Sequence, residues 1–233
     1  MAAWGAIDDA AGLWALESFN EQGFSLRTTA LRLRDGGVLL ASPTRGLGDA
    51  AHAELAALGK PSVLFAPNHF HRLGLAEHLE RYPEARATAS DAAAPRVQKQ
   101  TGFDVGSLAE VRERLPDGAR IVEAAGSRSG EAWLFVSTAR GTAWVVSDAF
   151  FNLPCVPGGA FGVGLRLTGT GPGLRIGRTY TTLAIADKRA YREWLAEMLD
   201  RSPPSMLIPG HGDIVEGPDL ADRLCALARA RLG

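Results

Sequence analysis

Cysteine is nearly absent: Cys155 and Cys225 are the only two in 233 residues, and they form no motif spacing. A chain of this size with two thiols does not read as a disulfide scaffold, so reduced cysteines in a cytoplasmic protein are the expectation. Lysine is almost as scarce. Of 25 basic residues only Lys60, Lys99 and Lys188 are lysines, a bias that fits base composition better than function. Neither sign of charge is in excess. A net charge of -1 and a pI near 6.5 leave no basic stripe to hold a phosphate backbone, which argues against nucleic acid as a partner. No run approaches the roughly 20 apolar residues of a membrane-spanning helix. Residues 1–16 carry Asp8 and Asp9 and lack a basic start followed by a long apolar run, so neither a membrane partner nor a secretory leader is expected.

What remains is a globular composition, 46% hydrophobic and 22% charged. The length suits one sizeable core, and a single domain over 1–233 is the expectation. Residues 13–19 and 24–41 read as extended, with Asp35-Gly36-Gly37 as a hairpin turn. A helix is predicted over Asp49–Leu58, closed by Gly59 and Pro61. The apolar run 62–66 suits a buried strand, followed by a helix to about Tyr82, a short strand near 85–89, a polar connection over 91–105 and a helix over 107–115. Strands follow at 119–124, 131–138 and 142–147. Eight glycines between Gly158 and Gly177 argue against any regular element there, leaving either a loop over a pocket mouth or a surface excursion. A helix over 188–199, a strand at 206–208 and a terminal amphipathic helix over 219–232 complete the pattern. Strand-rich halves finished by helices fit two packed sheets with helices outside.

The chain has five histidines: His52, His69, His71, His78 and His211. His69 and His71 follow the strand at 62–66, and on an extended segment residues two apart project to the same side, a spacing that can grip one metal ion. His211 lies in Ile208-Pro209-Gly210-His211-Gly212-Asp213, where flanking glycines allow a sharp turn. Asp148 ends the strand Ala143-Trp144-Val145-Val146-Ser147-Asp148. Histidines with a carboxylate suit zinc first, then iron or manganese. The bland alternative is that His69 and His71 are polar loop residues, and that Arg45 and Arg72, candidates to bind an anionic substrate group, are solvated. His52 and His78 fall in predicted helices and are expected at the surface or partly packed.

The order of these pieces resembles the metallo-β-lactamase superfamily: an early hairpin, a strand ending in His-x-His, a strand ending in Asp, and a Pro-Gly-His-Gly turn before a last helix. The resemblance covers most of the chain. Its strongest matches are Leu207-Ile208-Pro209-Gly210-His211-Gly212 and Val146-Ser147-Asp148-Ala149-Phe150, while Ala66-Pro67-Asn68-His69-Phe70-His71 with Glu80-Arg81-Tyr82-Pro83 resembles a divergent lactamase-like branch. It implies an α+β fold, a four-layer αββα sandwich, and a metal-dependent hydrolase. The departures are as informative. Where the superfamily has His-x-His-x-Asp-His, Leu73 stands for the aspartate and Gly74 for the last histidine. The middle motif, usually Gly-His-Thr-Pro-Gly, is Gly126-Ser127-Arg128-Ser129-Gly130, so Ser127 replaces its histidine. Four candidate ligands remain: His69, His71, Asp148 and His211. One divalent metal, or none, is the cofactor expectation. Asp148 or His211 is then expected to help deprotonate a water that attacks an ester, lactone, thioester or phosphoester of a small molecule. The competing reading is a non-catalytic relative that binds a ligand or partner in the old cleft.

Overall fold

The computed structural model describes residues 3–233. Alternating apolar side chains build a first sheet. β1 (Gly5–Asp8), β2 (Leu13–Phe19), β3 (Ser25–Arg32) and β4 (Gly37–Ala41) run as an antiparallel meander. The chain then crosses over through α1 (Asp49–Leu58) to β5 (Lys60–Phe65), through α2 (Leu75–Arg81) to β6 (Arg86–Thr88), and through α3 (Ala94–Thr101) to β7 (Val105–Gly106). These last strands pair in parallel, and the seven strands lie side by side in sequence order. After α4 (Leu108–Arg114) comes a second sheet from β8 (Ala119–Glu123), β9 (Ala132–Thr138) and β10 (Gly141–Val145). A small two-stranded sheet, β11 (Phe151–Leu153) with β12 (Gly173–Arg175), brackets α5 (Gly159–Leu167). The helices α6 (Arg178–Leu183) and α7 (Lys188–Arg201) lead to β13 (Pro204–Ile208), which joins β10 in parallel; β14 (Val215–Glu216) and α8 (Leu220–Leu232) close the chain.

The layering follows from strand alternation. Leu39 and Ala41 of β4, Val63 and Phe65 of β5, Leu134 and Val136 of β9, and Met206 and Ile208 of β13 share one buried cluster, which is the interface between the two sheets. The opposite face of the first sheet, Val38, Leu40 and Leu64, packs with Leu55 of α1, Leu75 of α2 and Val97 of α3. The opposite face of the second, Trp133, Phe135, Trp144 and Leu207, packs with Tyr191, Trp194 and Leu195 of α7 and Leu224 of α8. Helices, sheet, sheet, helices: the four-layer αββα arrangement stands as expected. No helix among the described residues is long and apolar enough to cross a membrane. Cys155 and Cys225 are both free thiols.

Two segments depart from the sequence-based expectation. The polar connection over 91–105 contains α3, which buries only Val97, so its periodicity is nearly invisible in an otherwise polar sequence. The glycine-rich stretch contains α5 and β12. Each glycine costs a helix interior roughly 1 kcal/mol against alanine, and α5 is held instead by packing. Its Phe161 lies edge-on to Phe24 with ring centroids 5.6 Å apart, and Leu165 packs against the cluster of Phe24, Phe151, Leu153 and Val156.

Candidate metal centre

The strands β5 and β10 and the turn after β13 all deliver residues to one end of the two sheets. Asn68 opens the first of these turns. It is fully buried, and its Oδ1 accepts from the backbone N–H of Phe70 at 2.8 Å and of His71 at 3.2 Å. Residues 69–74 are therefore a capped turn rather than an extended strand end. This corrects the geometry inferred from the i, i+2 spacing: the two rings of the His-x-His pair part company. His71 turns toward Asp148, its Nε2 3.2 Å from Oδ1. His69 turns away; its Nδ1 donates to the Ser129 carbonyl at 3.0 Å, and its Nε2 stands 3.5 Å from an Arg96 guanidinium nitrogen.

His211 approaches Asp148 from the other side, its Nε2 also 3.2 Å from Oδ1. The ring is fixed by β3: His211 Nδ1 donates to the Ser25 carbonyl at 2.7 Å, and Ser25 Oγ accepts from the Gly212 N–H at 3.0 Å. Buried Arg27 clasps the same turn, donating through one nitrogen to the carbonyls of Pro209 and Gly212. Gly212 has a φ of +86°, and a Cβ there would collide with the Asn152 carbonyl. Phe151 stacks on His211 at 5.2 Å with an 8° interplanar angle, and Phe24 covers it at 4.7 Å. The donor atoms of His71, Asp148 and His211 all lie within 4.8 Å of one another.

Their electrostatics identify what the cluster wants. Because His211 Nδ1 is committed as a donor to Ser25, its Nε2 in the neutral ring is a lone pair, and that lone pair faces a carboxylate oxygen. Two acceptors face to face are repulsive unless a cation lies between them. Burial disfavours the His71 cation, but the Asp148 carboxylate outweighs it and raises that ring's pKa. Burial likewise opposes ionisation of Asp148, yet the two imidazoles hold it well below the usual carboxylate range. A tetrahedral zinc with ligands about 2.0–2.2 Å away sets donor atoms about 3.3–3.6 Å apart; the two histidine–Asp148 separations here are 3.2 Å, and the whole set lies within 4.8 Å. The donor set fits one divalent ion.

A buried carboxylate that the sequence reading did not single out lies behind the cluster. Glu131 is 1% exposed and accepts from Ser147 Oγ at 2.6 Å, Asn68 Nδ2 at 2.7 Å and Trp133 Nε1 at 2.9 Å. Burial, with the Asp148 charge adding to it, pushes its pKa up to about 7. Its only sequence signal was a charged residue heading the apolar run Ala132-Trp133-Leu134-Phe135-Val136. Ser25 and Arg27, one strand residue apart, carried no signal beyond strand alternation.

The remaining candidates take structural places. Arg45 Nε donates to the Leu73 carbonyl at 2.7 Å and an Arg72 guanidinium nitrogen to the His69 carbonyl at 2.7 Å, so both brace the 69–74 turn. His52 and His78, expected at the surface or partly packed, are buried. They pack between α1 and α2, His52 bonded to the Tyr82 hydroxyl at 2.8 Å and His78 to the Gly74 carbonyl at 2.9 Å. Ser127 Oγ caps the N–H of Glu131 at 2.9 Å. Leu73 is 54% exposed at the rim of a cavity of about 630 Å³. Phe19, Phe70, Arg45, His71, Asp148 and His211 also line that cavity, so the cluster opens onto a space of small-molecule size. Gly74 abuts the Pro43 carbonyl so closely that no side chain fits there.

Two sheets packed between helix layers, with ligand-type residues gathered at the strand ends, make this a metallo-β-lactamase fold. Solved structures bear that out. The chain is similar to the DIM-1 metallo-β-lactamase (TM-score 0.65, 12% identity, covering 98% of this chain and 97% of that one). It is similar to the FIM-1 metallo-β-lactamase from Pseudomonas aeruginosa in its mono-zinc form (TM-score 0.61, 12% identity, 99% and 96%). It also resembles the metal-soaked Flv1 flavodiiron core from Synechocystis sp. PCC6803 (TM-score 0.65, 14% identity, 99% and 60%). Identities this low carry the fold and nothing finer. No protein-family model matches the chain, and no curated protein matches it in sequence.

Proposed function

We propose that this chain is a hydrolase that works with one divalent metal, zinc in first place, held by His71, Asp148 and His211. Its substrate is a small molecule carrying an ester, lactone, thioester or phosphoester bond. The observation that carries the reading is the pair of imidazole Nε2 atoms converging on one Asp148 oxygen, with the His211 tautomer fixed by Ser25 so that a cation is required between them. Three protein ligands that leave a position open toward a cavity form the pattern of a catalytic rather than a structural zinc site. When bound, the metal supplies Lewis acidity and brings the ionisation of water into the neutral range. The chain's own residues then divide the work. His71 and His211 approach from opposite sides, Asp148 offers its Oδ1 between them, and Phe24 and Phe151 cover the His211 ring.

His69 leaves the ligand set in this reading, since both ring nitrogens are already engaged. The test is zinc content and affinity after purification without chelator. His71→Ala and His211→Ala are expected to abolish stoichiometric zinc binding, while His69→Ala keeps affinity within about tenfold of the parent. Uptake below about a tenth of an equivalent by the parent chain, even after reconstitution, would refute the metal reading. Full zinc occupancy without turnover of any of the four bond classes would favour the non-catalytic, ligand-binding alternative.

A further inference from the structure

Asn68 belongs to neither the ligand set nor the substrate cavity, yet it touches both halves of the cluster. Its Oδ1 accepts the N–H groups of Phe70 and His71, fixing the turn that presents the His71 ring. Its Nδ2 reaches in the other direction, to Asp148 Oδ2 at 3.1 Å, Glu131 Oε2 at 2.7 Å and Ser147 Oγ at 2.9 Å. An amide NH2 has two protons. Ser147 already donates its own proton to Glu131, so Glu131 and Asp148 are the acceptors that need the Asn68 protons most. One neutral side chain thus separates a buried carboxylate, Glu131, from the half-buried Asp148 and ties the latter to the histidine turn. Nothing else is bonded to Asp148 Oδ2 among the described residues, whereas Oδ1 faces the histidines.

We infer that Asn68 is the positioning residue of the metal centre: it pins Asp148 Oδ2 so that Oδ1 is presented to the ion, and couples that carboxylate to the His71 turn. The inference rests on the metal-binding reading above. Groups that orient a metal's ligands typically account for 10–100-fold in affinity.

The two arms of Asn68 are separable by substitution. A serine hydroxyl can still accept from backbone N–H groups two and three residues on, as in Ser-capped turns, but it is too short to reach Asp148. Asn68→Ser therefore keeps the cap and loses the Nδ2 arm, and Asn68→Ala loses both. Zinc affinity is measured by chelator competition, alongside the unfolding temperature of the chelator-treated protein. The expected result is a loss of about 10–100-fold in both variants, with metal-free Asn68→Ser folded and unfolding above Asn68→Ala because it keeps the turn cap. Zinc affinity within threefold of the parent in Asn68→Ser would show a turn cap only and overturn the inference. Absence of zinc binding by the parent would overturn the metal reading and, with it, this role. Should both variants fail to fold, the parent alone decides. Zinc must shift the Asn68 side-chain amide resonances in a 15N-labelled sample, because their acceptor becomes a metal ligand, and unshifted resonances refute the role.

Discussion

Glu131 offers the sharpest quantitative test. It is 1% exposed, shares Asn68 with Asp148, and has its pKa pushed up to about 7 from the ordinary 4.5. The folded state therefore binds this proton more tightly than the unfolded chain does. A raised carboxylate pKa removes stability as pH rises, beginning near the unfolded value and complete above the folded one. The difference of about 2.5 units corresponds to about 3 kcal/mol in total, of which about 2.5 kcal/mol falls between pH 5 and 8. Glu131→Gln abolishes the titration. Its carbonyl can still accept from Ser147 and Trp133, while its amide meets the Asn68 amide, a constant cost of about 1 kcal/mol. Urea unfolding of chelator-treated parent and variant across pH 5 to 8 should show the parent more stable at the acid end and the variant more stable at the basic end. Glu131 also acts on Asp148 and His71, so the comparison reads this carboxyl together with its effect on those two groups. A stability difference that stays constant within about 0.5 kcal/mol over that range would refute the assignment of a buried, proton-holding Glu131.

Arg27→Met removes the buried guanidinium that clasps the carbonyls of Pro209 and Gly212. It should cost about 2–4 kcal/mol in urea unfolding and weaken zinc binding about tenfold by loosening the His211 turn; a loss below about 1 kcal/mol would show the clasp to be dispensable. Introducing the superfamily's motif residues with Leu73→Asp and Gly74→His should not create a second metal position. A Cβ at residue 74 runs into the Pro43 backbone, so the expected outcome is a protein destabilised by about 2 kcal/mol or more that still takes up no more than one equivalent of zinc by elemental analysis.

Much of the architecture was legible because its strands are two-faced. Leu39 and Leu40, or Phe65 and Leu64, face different cores from adjacent positions, and such apolar runs announce buried strands whatever the partner. What escaped was held by context. Helix α3 buries a single valine, and α5 is helical against its own glycines because Phe161 and Leu165 have aromatic neighbours to pack on. The site divides along the same line. His71, Asp148 and His211 were named from motif spacing, but the direction of each ring was not in the motif. His69 and His71 were read as a pair because an extended strand was assumed. One buried asparagine immediately before them converts the strand end into a turn and sends the rings apart. Glu131, Ser25 and Arg27 lie 17 to 186 residues from the ligands they support, a separation that no local pattern spans.

The departures at Leu73, Gly74 and Ser127 from the superfamily pattern reach into the backbone and go beyond exchanged side chains. Leu73 points outward at the cavity rim, braced through its carbonyl by Arg45, and Gly74 has given its side-chain volume to the Pro43–Thr44 backbone. Ser127 has become a cap on the N–H of Glu131, whose carboxylate in turn joins Asn68 and Ser147 behind Asp148. Main chain thus fills the space beside Gly74, and Ser127 belongs to the polar network behind Asp148. The bonds of Asn68, Glu131, Ser25 and Arg27 hold Asp148 and the two histidine rings in one fixed arrangement, which is what the proposed one-metal reading needs of them.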